Sequence, residues 1–119
     1  MVSHLGKSKI KPAFKLWFEI DGKYVFGEGA YELLKEVEET KSLSAAAKAV
    51  GMSYRYAWGI VKEIEKCLGQ PVVKAKKGGA RGGRTELTEA GLSLVANYKK
   101  LEEIVTEACE PKQRSGLVE

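Results

Sequence analysis

The chain has 119 residues and a formal charge of +4, enough for one domain with a single modest core and too short for a separate ligand-binding domain beside it. No apolar run approaches the roughly 18 residues needed to span a bilayer, and the start MVSHLGKSKIKP lacks the apolar centre of a signal peptide, so no membrane partner and a cytoplasmic, nucleoid-associated location are expected. Two cysteines, Cys67 and Cys109, and one histidine, His4, offer neither metal-ligand spacing nor a nucleophile–base set, which excludes most enzyme chemistry and leaves no metal, no cofactor and two reduced thiols as the expectation.

In chain order, residues 1–12 read as a flexible basic arm and residues 13–109 as the folded domain. Phe14, Leu16, Phe18 and Ile20 alternate with Lys15, Trp17, Glu19 and Asp21, and Asp21-Gly22 is a tight-turn signal before Lys23–Phe26 returns, which predicts a β-hairpin. An amphipathic helix follows over Gly29–Thr40 with Leu33, Leu34 and Val37 inward.

The next stretch, SLSAAAKAVGMSYRYAWGIV (Ser42–Val61), has the spacing of a helix-turn-helix. A short helix is expected over Ser44–Val50, capped by Ser44 and carrying Lys48, with the small Ala47 where two helices cross. Gly51 suits a turn that needs positive φ, Met52 tucks under it, and Ser53 is a ready N-cap for a second helix over Tyr54–Leu68, stopped by Gly69 and Pro71. Ala57, Val61, Ile64 and Leu68 recur as one buried stripe, and the opposite face carries Arg55, Gly59 and Lys62, flanked by Tyr54, Tyr56 and Trp58. Such a face suits the major groove of DNA: Arg55 is placed to donate a bidentate pair to guanine, Ser53, Tyr54 and Lys62 to reach phosphates or base edges, and Gly59 to let the helix sit deep.

Charge is placed, not spread. From Lys41 to Thr85 ten basic residues stand against Glu63 and Glu65, a net of +8, whereas Gly29–Thr40 carries −3 and Glu86–Glu110 carries −4. A basic stripe beside a groove-entering motif is the electrostatic footprint of nucleic-acid binding. Within it, KAKKGGARGGR (Lys74–Arg84), between the strand-like Val72-Val73 and Thr85–Leu87, predicts a β-hairpin wing whose Lys76, Lys77, Arg81 and Arg84 meet phosphates or a narrow minor groove. Thr88 caps a last helix over Glu89–Cys109, and residues 110–119 read as a disordered tail. In that helix Leu94, Tyr98, Leu101, Val105 and Ala108 fall at intervals of four, three, four and three, an expected homodimer seam flanked by Tyr31 and Leu34 from the outer edge of the first helix.

Taken together the helix-turn-helix, EIEKCLG (Glu63–Gly69), the valine pair and LTEAG (Leu87–Gly91) resemble the winged-helix domain shared by LysR-type regulators and the molybdate-responsive ModE regulators, with SYRYAW (Ser53–Trp58) and the long glycine-rich wing nearer the ModE side. KLWFEIDGKYVFGEG (Lys15–Gly29) is similar to the leading hairpin of stand-alone members of that group. The resemblance implies an α+β winged helix-turn-helix with an N-terminal β-hairpin and a long C-terminal helix. The full-length molybdate regulators add C-terminal oxyanion-binding modules, so no molybdate binding is expected within these residues. Gly27-Glu28-Gly29 imitates a dinucleotide fingerprint, but Glu32 stands at the third glycine and puts negative charge near the helix start. The reading that follows is a sequence-specific double-stranded DNA-binding regulator acting as a homodimer. Its alternatives are a nucleoid protein without sequence preference and a protein-interaction winged helix.

Overall fold

The computed structural model describes residues 10–77 and 84–110. The elements run β1 (Phe18–Ile20), β2 (Lys23–Phe26), α1 (Glu28–Thr40), α2 (Leu43–Ala49), α3 (Tyr54–Leu68), β3 (Val73–Lys76), β4 (Arg84–Leu87) and α4 (Glu89–Cys109). Two antiparallel hairpins, β1-β2 and β3-β4, thus bracket three helices, and a long helix closes the series, the α+β arrangement the sequence predicts. Two compact units are distinguished: residues 16–98, which hold all the strands and α1 to α3, and residues 10–15 with 99–110.

The first hairpin turns at Asp21-Gly22, both with positive φ (52° and 75°), the backbone that matches a two-residue turn to the twist of its strands. Its register slips between Phe18 and Glu19, so Phe18 faces Phe26 while Glu19 faces Tyr24. Val25 is the extra residue, and the bulge buries Val25 and Phe26 together where strict alternation would expose one. On α1, Leu33, Leu34 and Val37 are fully buried, and the chain leaves the helix through Lys41 in the left-handed region (φ 59°).

The helix-turn-helix is built from small side chains. Ala46, Ala47 and Ala57 are at most 1% exposed, which brings α2 and α3 close to each other and to α1. Gly51 makes the turn between them at φ 79°. Ser53 caps α3 by accepting from the Tyr56 N–H at 3.0 Å, and Gly69 ends it in the left-handed region. Thr88 begins α4: its hydroxyl oxygen accepts from the Gly91 N–H (3.1 Å) while its O–H donates to the Pro71 carbonyl (2.8 Å).

Tyr98 is the centre of an aromatic cluster. Its ring stacks on Tyr31 (centroids 4.7 Å apart) and meets Phe18 and Phe26 at 5.6 Å each. Its hydroxyl donates to the Leu16 carbonyl at 3.0 Å, tying the two ends of this unit together.

Several expectations are corrected here. Phe14 is exposed and precedes the strand, which begins at Phe18, so the alternation of Phe14–Ile20 is shorter than the pattern suggests. The cap of α2 is Ser42, which accepts from the Ala45 N–H at 3.0 Å; Ser44 lies in the first helical turn and faces solvent, because burying Leu43 draws that residue into the helix. Tyr98 belongs to the core, not to a dimer seam, and Leu94 packs half-buried against the same core. Tyr31 and Leu34 are likewise core residues and do not form an outer edge of α1. His4, Arg81, residues 1–9 of the basic arm and all but the first residue of the tail lie outside the described residues.

Two glycines make opposite predictions for one substitution. A Cβ at Gly91 would overlap the Val72 carbonyl oxygen, backbone that cannot swing away, whereas a Cβ at Gly59 would meet nothing within 4 Å. Gly91→Ala is expected to cost about 1–3 kcal/mol through overpacking. Gly59→Ala, in mid-helix, should stabilise by about 0.5–1 kcal/mol. Urea denaturation of both variants checks the pair; equal effects would contradict the packing at Gly91.

Candidate nucleic-acid interface

One helix supplies both core and surface. The inner stripe of α3, Ala57, Val61 and Ile64, is at most 1% exposed, while Tyr54, Arg55, Tyr56, Trp58, Gly59 and Lys62 are all exposed. Because Gly59 has no side chain, a shallow open depression of about 520 Å³ forms over it, bordered by Ser53, Arg55, Tyr56, Ile60 and Glu63. Of the sequence-predicted residues, Ser53, Arg55, Tyr56 and Gly59 border this depression, while Tyr54 and Lys62 are exposed elsewhere on the helix, Lys62 beside Trp58. Ser44 and Lys48 are exposed on the neighbouring α2.

Two basic groups on and near α3, Lys62 and Lys23, are held by neighbours. The Lys62 amine lies 4.7 Å from the centre of the Trp58 ring and 3.7 Å from the Glu65 carboxylate. Lys23, at the tip of the first hairpin, pairs with Glu63 at 3.4 Å, which sets that hairpin beside the middle of α3. Glu65 has a further task. Its Oε2 accepts from the N–H groups of Val72 (2.9 Å) and Val73 (3.4 Å), so one carboxylate joins α3 to the first strand of the second hairpin.

In that hairpin Val73 pairs with Leu87, Lys74 with Glu86, Ala75 with Thr85 and Lys76 with Arg84. Val73 and Leu87 are buried, so the alternating Lys74, Lys76, Arg84 and Glu86 share the other face. The hairpin is anchored again by Thr85, whose N–H donates to the Lys41 carbonyl at 2.9 Å, behind the turn from α1 to α2. Partial burial raises the Glu86 carboxyl, but the Lys76 charge, the Arg84 hydrogen bond and the charges of Arg84 and Lys41 outweigh it and hold its pKa below the ordinary glutamate value. An exposed helix face carrying Arg55 near its start, joined through Glu65 to a strand pair rich in cations, is chemically suited to a polyanion.

Sequence reasoning missed Glu65, Glu86 and the Lys23–Glu63 pair as parts of this surface. Their signal was present: Glu63 and Glu65 are the two acids inside an otherwise basic segment, and Glu86 stands at its boundary. Among the described residues no group of three or more His, Cys, Asp or Glu side chains is placed to hold a metal ion. No helix of the described residues is long and apolar enough to cross a membrane.

Residues 29–92, which hold α1, the helix-turn-helix, the second hairpin and the start of α4, match the family model described as bacterial regulatory helix-turn-helix protein, lysR family. The chain belongs to the lysR family. Within it, the similarity runs toward ModE-like proteins. The chain is 46% identical over 70 residues to the molybdenum-pterin-binding protein MopB of Rhodobacter capsulatus, covering 59% of this chain and 26% of that protein. It is 34% identical over 85 residues to the transcriptional regulator ModE of Yersinia pestis, covering 71% of this chain and 32% of that one. The chain thus spans about a quarter to a third of the length of the curated relatives it matches. Among solved structures, full-length CbnR in complex with its target DNA superposes with a TM-score of 0.52 at 22% identity, over 67% of this chain and 26% of that one, a likeness of fold.

For this lysR-family domain the Glu65 link carries a prediction. Glu65→Ala leaves the Val72 N–H, on a fully buried residue, without its acceptor, at a cost of about 1–3 kcal/mol. Glu65→Gln keeps an amide oxygen in place and should cost less. Amide hydrogen exchange at Val72 reads the difference, and an unchanged rate in Glu65→Ala would contradict the assigned acceptor.

Proposed function

We propose that the chain is a sequence-specific double-stranded DNA-binding transcriptional regulator that lays the outer face of α3 in the major groove and its basic hairpin on the adjacent backbone or minor groove. The observation that carries this reading is the two-sidedness of α3, whose inner stripe is sealed while Arg55, Gly59 and Lys62 are exposed on the other side. Family membership and the ModE-like relatives support the regulatory role. In this reading Arg55 reads a guanine edge, Ser53, Tyr54, Tyr56 and Lys62 contact phosphates or neighbouring bases, Ser44 and Lys48 hold the flanking backbone, and Lys76, Lys77, Arg81 and Arg84 bind phosphate. A packaging or protein-binding surface would not need an exposed arginine beside an open, side-chain-free position.

The protein works as a homodimer through the distal part of α4. Leu101 and Ile104 are exposed there, Val105 is half-buried and Ala108 is exposed, an apolar surface in residues 99–109. With Leu94 and Tyr98 given to the core, the seam is reduced to Leu101, Val105 and Ala108, and Ile104 joins it. Two-fold symmetry then sets two recognition helices about 34 Å or a multiple apart on an imperfect palindrome.

Fragments selected from genomic DNA by the purified protein supply the duplex for two tests. Arg55→Ala should weaken the selected site by about 1–3 kcal/mol and relax one base position. Lys77→Ala with Arg81→Ala should lower affinity for all sequences and flatten the salt dependence. An unchanged motif and affinity in Arg55→Ala would place the recognition face elsewhere. For assembly, sedimentation equilibrium should show a dimer for the wild type and a monomer for Leu101→Glu with Val105→Glu; a monomeric wild type at micromolar concentration refutes the dimer.

A further inference from the structure

The outward face of the second hairpin carries Lys74, Lys76 and Arg84, and one acid among them, Glu86. Lys76 and Arg84 are directly opposed across the ladder, a like-charge pairing that by itself disfavours the hairpin. Glu86 answers both. Its Oε1 lies 3.8 Å from the Lys76 amine and its Oε2 3.1 Å from the Arg84 Nη2, where it also accepts a hydrogen bond. The cations are 52% and 56% exposed while the carboxylate they cover is only 20% exposed.

Exposed ion pairs of this kind contribute little to stability, so holding the fold together does not account for the arrangement. Its consequence for a polyanion is larger. A carboxylate on this face occupies the same donors a phosphate would use and repels the phosphate itself. We propose that Glu86 is an internal counter-anion of the wing, which occupies Lys76 and Arg84 in the free protein and so suppresses binding to DNA that cannot repay their release through base contacts at α3. Glu86 is then a specificity-determining residue, although it reads no base. This rests on the reading above that the hairpin lies against DNA.

The test is E86Q, which keeps size and hydrogen-bonding capacity and removes the charge. Fluorescence anisotropy is read on a random duplex and on the selected duplex, from about 50 to 200 mM salt, with the exposed α1 residue changed in E32Q as the control for net charge alone. E86Q should bind the random duplex about three- to ten-fold more tightly near 100 mM salt, and its log–log salt slope should steepen by up to about one phosphate contact, a change of about 0.9. The gain on the selected duplex should be smaller, so the specificity ratio falls. On the random duplex K76Q should have little effect in the wild-type background and a larger one in E86Q, because only there is the lysine free without base contacts to release it.

Equal or weaker binding by E86Q with an unchanged slope, or the same gain from E32Q, overturns the role of Glu86. If K76Q with R84Q in the E86Q background loses neither affinity nor slope, the hairpin does not touch DNA, and the underlying reading falls with the proposal. The Thr85 amide, bonded to the Lys41 carbonyl, reports whether the hairpin is intact in each variant through its hydrogen exchange.

Discussion

Everything at the candidate interface depends on α3 burying one face completely while leaving the other bare. Val61 and Ile64 are at most 1% exposed, and burial of side chains of this size is worth about 1.5–3 kcal/mol each. The alanines at 46, 47 and 57 let the helices approach, so the inner stripe is sealed without large residues wrapping around to the outer side. A short interior stripe is what frees Arg55, Gly59 and Lys62. Replacing any of the three alanines with a bulkier residue would push α3 outward and shift the face it presents.

Orientation of the second hairpin follows from that helix. Glu65 projects from α3 onto the Val72 and Val73 N–H groups, and Thr85 closes the other strand onto the Lys41 carbonyl. The hairpin is thus held at one strand by α3 and at the other by the Lys41 carbonyl at the end of α1. Close packing at Gly91 against the Val72 carbonyl, with Thr88 donating its N–H to the same oxygen at 2.9 Å, ties the start of α4 to the same point. The α3 helix, the second hairpin and the start of α4 therefore share one junction around Val72.

Local chemistry was legible in the sequence, and partnership was not. The caps at Ser53 and Thr88, the turn at Gly51 and the extent of α3 all rest on neighbours a few residues apart, and each stands where the pattern puts it; both hairpins form, but the first strand begins only at Phe18 and the third runs Val73–Lys76, into the expected loop. The cap of α2 shifted by two residues because two serines flank Leu43 and only burial of that leucine decides between them. Tyr98 was misread for a different reason. A heptad spacing shows that one face of α4 is apolar but not what covers it, and here Phe18, Phe26 and Tyr31, all distant in sequence, cover its middle. Glu65 and Glu86 stand out in the sequence as acids in and beside a basic segment, but their partners lie across a turn or a strand ladder, where single-sequence spacing has no reach.

The central claim is that the outer face of α3 and the outward face of the second hairpin form one surface for duplex DNA. Amide hydrogen exchange measured on the full chain, free and saturated with a selected duplex, tests it most directly. The account predicts added protection over residues 53–62 and in 74–77 and 84–86, with the buried stripe of α1 unchanged. Protection confined to residues 99–109, or absent from 53–62 while the duplex is bound, would contradict it.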